Sequence, residues 1–143
     1  MDASPALVAN LAASAALVGL IWVVELAVYP LYARIGPESF AAYHAGWTSG
    51  ITLVVGPLML AELLAAAWLV ADRPALGAWA AVPVAVAWGV TALWAVPMHG
   101  RLAGGFEEEA WRSLCNANHV RTAAWTLRAA LLAWAYARSG AGG

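Results

Sequence analysis

Apolar residues run along this chain in four long stretches, broken by short clusters of charged, glycine and proline residues and never alternating with the period of a strand. The stretches cover Pro5–Tyr29, Gly50–Val70, Leu76–Pro97 and His119–Ala137. Each is close to or above the roughly 20 helical residues needed to cross a hydrocarbon core. The pattern predicts an all-α fold, an integral membrane, antiparallel four-helix bundle forming one domain over residues 1–143. Asp2 stands where a secretory signal would carry basic residues, and the first apolar run continues past Glu25, so this span is expected to stay in the mature protein.

The breaks between the stretches are informative. Ala71–Ala75 is a tight link in which Pro74 stops the second helix and can open the third. The other two links are longer and look partly helical. Pro37 and Glu38 suit a first helical turn, and after Gly104-Gly105 no glycine or proline occurs until Gly140. Helices 2 and 4 are therefore expected to extend beyond the bilayer on one side, the fourth starting near Phe106. Gly56-Pro57 predicts a kink in the second span, and the Gly46-xxx-Gly50 spacing predicts a close helix approach. Arg34, Arg101, Arg112 and Arg121 lie on the side of the long links, against Arg73 and Arg138 on the other. This predicts the long links in the cytoplasm, both termini outside and a bacterial inner membrane as the location.

Composition narrows the class further. Of 143 residues, 64% are hydrophobic and only 10% charged, and mean hydropathy is +0.74; a soluble domain carries about 25% charged residues. Disordered chains, nucleic-acid binders and ordinary cytosolic enzymes are excluded, because none covers its surface with so few polar groups. The lone Cys115 excludes an internal disulfide and a cysteine-based zinc site.

Against this background Glu25, Glu62 and Arg128 stand out, since each falls inside a predicted span. A charge there costs about 2.5–3.5 kcal/mol even on lenient scales. Matched depths along the helices predict two ion pairs, Glu62 with Arg128 and Glu25 with Arg121. Asn118, Arg121, Trp125 and Arg128 form one stripe on the fourth helix, and Trp22, Glu25, Tyr29 and Tyr32 a similar stripe on the first. Such stripes are either functional or polar packing between helices.

The chain's three histidines, His44, His99 and His119, all fall on the side of the long links. They are candidate ligands for iron, copper or zinc, but no His-xxx-His or Glu-xx-His pair puts two of them on one helical face. The cofactor is therefore either absent or a histidine-ligated iron or copper. Of nine tryptophans, Trp47, Trp68, Trp79, Trp111 and Trp134 fit an interfacial belt. Trp22, Trp94 and Trp125 lie deeper and, with Tyr29, are candidate walls for a flat hydrophobic ligand such as a quinone or polycyclic phenol.

At Val96-Pro97-Met98-His99-Gly100-Arg101-Leu102 and Asn118-His119-Val120-Arg121-Thr122-Ala123-Ala124-Trp125 the chain resembles the anthrone-oxygenase-like family of small four-helix membrane proteins. The likeness covers residues 91–128, with Tyr29-Pro30 and the Phe40–His44 segment fitting more loosely. The matching positions are Pro97, His99, Leu102, Asn118 and Arg121, and many relatives have asparagine at the His99 position. The resemblance implies oxidation of an anthrone-like substrate by dioxygen.

Together these readings predict a membrane oxidoreductase or oxygenase acting on a hydrophobic aromatic molecule at one membrane face. Glu25 or His99 would serve as general base, with Asn118 and Arg121 stabilising the oxyanion. Two other classes remain open: an accessory subunit of a larger membrane complex, and a proton-coupled small-molecule transporter. The expected partners are the lipid bilayer, the hydrophobic ligand and either a second copy of the chain or other membrane subunits. Nucleic acid is not among them.

Overall fold

The computed structural model describes residues 4–140; Asp2 lies outside them. Four long helices account for almost all of it: α1 (Pro5–Tyr32), α2 (Pro37–Asp72), α3 (Pro74–Leu102) and α4 (Glu108–Gly140). The first three are long and apolar enough to cross a membrane. α4 is less apolar, since it carries glutamates in its first turn and arginines along its length. Both long links are largely helical as expected, with α4 beginning at Glu108 rather than Phe106.

Local chemistry sets the helix ends. Ser4 caps α1 by accepting from the Leu7 N–H, and Pro5 occupies the first turn, where its missing N–H costs nothing. Arg73, at φ −138° and ψ 77°, is the only non-helical residue between α2 and α3. That abrupt reversal requires Gly77: a Cβ there would stand 2.5 Å from Val70 Cα and 2.8 Å from the Leu69 carbonyl carbon. The expected Gly46-xxx-Gly50 approach is not made. Both glycines are exposed, with nothing within 4 Å of the Cβ positions. α2 runs on as one helix through Pro57.

Two π-helical turns interrupt the regular pitch, Val24–Val28 in α1 and Thr91–Ala95 in α3. Each ends just before an X-Pro pair, Tyr29-Pro30 and Val96-Pro97. A proline has no N–H for the preceding turn and its ring crowds the carbonyl there, and widening the helix relieves both problems. The Tyr29 N–H accordingly bonds to the Val24 carbonyl and the Val96 N–H to that of Thr91. The extra residue rotates everything downstream by about a quarter turn. Tyr29 and Tyr32 are thereby buried, whereas Trp22 is exposed and Glu25 only partly covered, so the expected α1 stripe is split.

Each helix packs on two neighbours, α1 and α3 both lying between α2 and α4. Yet the backbone of α2 approaches α1 closely only over Pro5–Val23 and α3 only over Pro74–Val90; beyond the π turns, α1 and α3 pack against α4 and reach α2 through large side chains, Tyr32 against Phe40 and His44, and His99 against His44. The bundle is thus closed in one half and parted along α2 in the other. Outward-facing residues are strongly apolar, Leu93 being 83% and Leu53 78% exposed.

Candidate functional site

Where α2 parts from its neighbours lies a cavity of about 200 Å³. Its apolar walls come from Leu20, Ile21 and Val24 of α1 and from Trp47, Ile51 and Val55 of α2. Its polar lining is Tyr29, Thr48, Thr52, Thr91, His99 and Arg121. Both π turns contribute, since Val24 and Thr91 belong to them and Tyr29 directly follows one. π turns of this kind often mark functional sites.

Arg121, on α4, is 8% exposed. Its NH2 group donates to Asn118 Oδ1 at 2.8 Å and reaches the Tyr29 hydroxyl at 3.5 Å; NH1 reaches Thr91 Oγ1, also at 3.5 Å. Two of these three contacts are at the outer limit of a hydrogen bond, and the buried Nε has no partner. The arginine is therefore held in place yet keeps donor capacity unused. The same Tyr29 hydroxyl lies 3.1 Å from His99 Nε2, and His99 Nδ1 lies 3.0 Å from His44 Nε2. His44 is buried and stacked on Phe40, with the Tyr32 ring at its edge.

The expected ion pair between Glu25 and Arg121 is replaced by a bridge. The Asn118 amide accepts from Arg121 through Oδ1 and donates to Glu25 Oε2 at 2.5 Å. Glu25 also accepts from Thr122 Oγ1 at 3.2 Å and meets His119 Nε2 at 2.7 Å. The π turn sets Glu25 towards the α1–α4 groove, where it lines two other clefts, one of about 400 Å³ shared with Trp22 and His119, and not the cavity that holds Arg121. It acts on the cavity only through Asn118, so the general-base role expected for it is not supported by its position.

The remaining candidates divide. Tyr29, His99 and Arg121 line the cavity, and Asn118 orients Arg121. Trp94 faces outward and donates to Ser113, and Trp22 faces outward and donates to Thr126. Trp125 is buried, but its indole N–H donates to Glu62. None of these three tryptophans walls the main cavity; Trp47, assigned by sequence to the interfacial belt, does. Trp111 is also drawn inward, donating to the Tyr29 carbonyl. His119 is held away from His44 and His99 at Glu25, so the expected three-histidine ligand set is not assembled. Among the described residues no group of three or more His, Cys, Asp or Glu is placed to hold a metal. Thr48 and Thr91 were not singled out by sequence; their one signal was a hydroxyl inside an apolar helix.

The expected Glu62–Arg128 pair is made at 3.1 Å with both side chains fully buried. Arg128 also donates to the Ala80 carbonyl, to Ser14 and to Asn10, and Asn10 in turn donates to the carbonyls of Ala6 and Ala65. All four helices meet there, and none of the clefts described above is lined by it. Comparison of the chain with protein-family models, with curated proteins and with solved structures finds no match, which leaves the reading of both clusters to their geometry.

Proposed function

We propose that the chain is a four-span membrane protein whose cavity binds a compact hydrophobic molecule bearing an acidic O–H, or a C–H acidified by a neighbouring carbonyl. The observation that carries this reading is Arg121, a buried cation that lines the cavity with only one short hydrogen bond, its contacts to the Tyr29 and Thr91 hydroxyls being at the outer limit. Such a donor stabilises negative charge on a ligand oxygen far better than water would. Thr91 and Tyr29 stand beside it, and the His99 end of the cavity is where the ligand's proton goes. The volume suits one or two rings, the rest of a larger molecule reaching into lipid between α2 and its neighbours.

The reaction we assign is an oxidation by dioxygen. Loss of the acidic proton leaves an electron-rich carbanion. It adds dioxygen to form a C–O bond, the resulting peroxide anion takes the proton back, and loss of the remaining C–H proton with cleavage of the O–O bond releases water and leaves a carbonyl at the former CH2 carbon. This is the chemistry that the likeness of residues 91–128 to anthrone oxygenases implies. The long links are assigned to the cytoplasm on the arginine distribution. A second reading, a subunit contacting another membrane helix or a second copy of the chain, is favoured by the open Gly46 and Gly50 positions on α2. Dioxygen uptake with anthrone in detergent tests the oxygenase reading. Uptake well above that of Arg121→Gln is expected, and equal rates would overturn it.

A further inference from the structure

The fate of the ligand's proton can be followed further, resting on the reading of the cavity as an acid–base site. Both ring nitrogens of His99 are engaged, Nε2 with Tyr29 and Nδ1 with His44. No lone pair of His99 is left for a ligand while these bonds hold. The group with a free position is the Tyr29 hydroxyl, which lines the cavity beside Arg121. Each neutral imidazole has one N–H and one lone pair, and a phenol has one O–H and an acceptor oxygen. Tyr29, His99 and His44 can therefore be linked with every donor pointing towards His44 or every donor pointing away. Moving one proton through the chain converts the first arrangement into the second.

We propose that Tyr29, His99 and His44 form a proton relay, with Tyr29 the group that touches the ligand and His44 the final acceptor. The ligand's O–H or C–H bond breaks and its proton goes to the Tyr29 oxygen. The Tyr29 proton passes to His99 Nε2, and the His99 Nδ1 proton to His44 Nε2. Tyr29 and His99 end neutral, the ligand is an anion beside Arg121, and His44 is an imidazolium. His44 does not line the cavity, so the positive charge is kept away from the ligand and from solvent. The face of Phe40, stacked on the imidazole, is suited to a cation. Tyr29 is thus the catalytic residue of this step, while His99 and His44 act through it.

The probe is 4-nitrophenol, whose absorption moves to longer wavelength on ionisation. It is added to detergent-solubilised protein carrying 15N-histidine, at a pH well below the phenol's aqueous pKa. In the wild type, bound phenol should absorb as the phenolate while one histidine changes to the 15N signature of an imidazolium, assigned by its loss in His44→Gln. In Tyr29→Phe the phenol should still bind through Arg121, with the phenolate band and the imidazolium signal both lost. His99→Gln, which keeps Tyr29 and Arg121, should give the same result and guards against a folding defect specific to Tyr29→Phe. Neutral bound phenol in the wild type, or phenolate retained in Tyr29→Phe, would overturn the relay and leave the binding reading standing. No binding to the wild type would overturn both.

Discussion

Arg121 and Arg128 lie on the same face of α4, about two turns apart, and both are buried, yet they do different things. Around Arg128 the helices are closed, and the guanidinium has a carboxylate, a hydroxyl, an amide and a backbone carbonyl as partners drawn from the other three helices. Around Arg121 α2 has parted, the partners are one amide and two distant hydroxyls, and one donor is left over. Burial of an arginine therefore says little about its role. What separates a helix-locking cation from a ligand-binding one is how many of its donors the protein itself satisfies.

The largest expected effect tests the closed side of this contrast. Removing one partner of the dry pair, as in Glu62→Leu, leaves Arg128 uncompensated and should cost about 3–5 kcal/mol of stability. Adding Arg128→Met should restore much of that loss; reversible unfolding in detergent measures both. On the open side, Arg121→Gln should weaken phenol binding by about 1.5–3 kcal/mol, the worth of a hydrogen bond to a charged group, with a much smaller change in stability. Titration calorimetry checks the first and the unfolding midpoint the second.

Next in size is Gly77→Ala, in the closed half, where the added methyl meets the Val70 backbone and should destabilise by about 1–3 kcal/mol. Gly46→Ala, in the parted half, meets nothing and should change stability by no more than about 0.5 kcal/mol. Unfolding curves that gave the two glycines equal costs would break the contrast between the halves. The smallest effect is Trp94→Phe, outside the cavity, which should leave phenol affinity unchanged where Trp47→Ala lowers it.

The closed half was the legible one. Four long apolar runs separated by proline and glycine predict four helices, and the penalty on unpaired intramembrane charge predicts Glu62 with Arg128. Both inferences need only regular pitch and straight helices. The parted half departs from that geometry twice. The π turns before Pro30 and Pro97 shift register by a residue each; the one in α1 carries Tyr29 and Tyr32 onto the buried face without Trp22 and Glu25, and Glu25 meets Arg121 only through Asn118. The prolines were visible in the sequence, but whether a helix answers a proline by kinking or by widening depends on its neighbours. Pro57, where a kink was expected, lies within an unbroken helix. The His44–His99 contact joins residues far apart in sequence on different helices and follows from packing alone. Trp47 shows the same limit: a tryptophan near a helix end is read as interfacial unless a cavity happens to lie beside it.

The most direct test of the account is a calorimetric titration of 4-nitrophenol into wild type and Arg121→Gln in the same detergent, corrected with empty micelles. The account predicts binding weakened at least about tenfold in the variant, with helicity and unfolding midpoint close to wild type. Equal affinity in the two proteins would contradict it, and would make Arg121 a packing residue like Arg128.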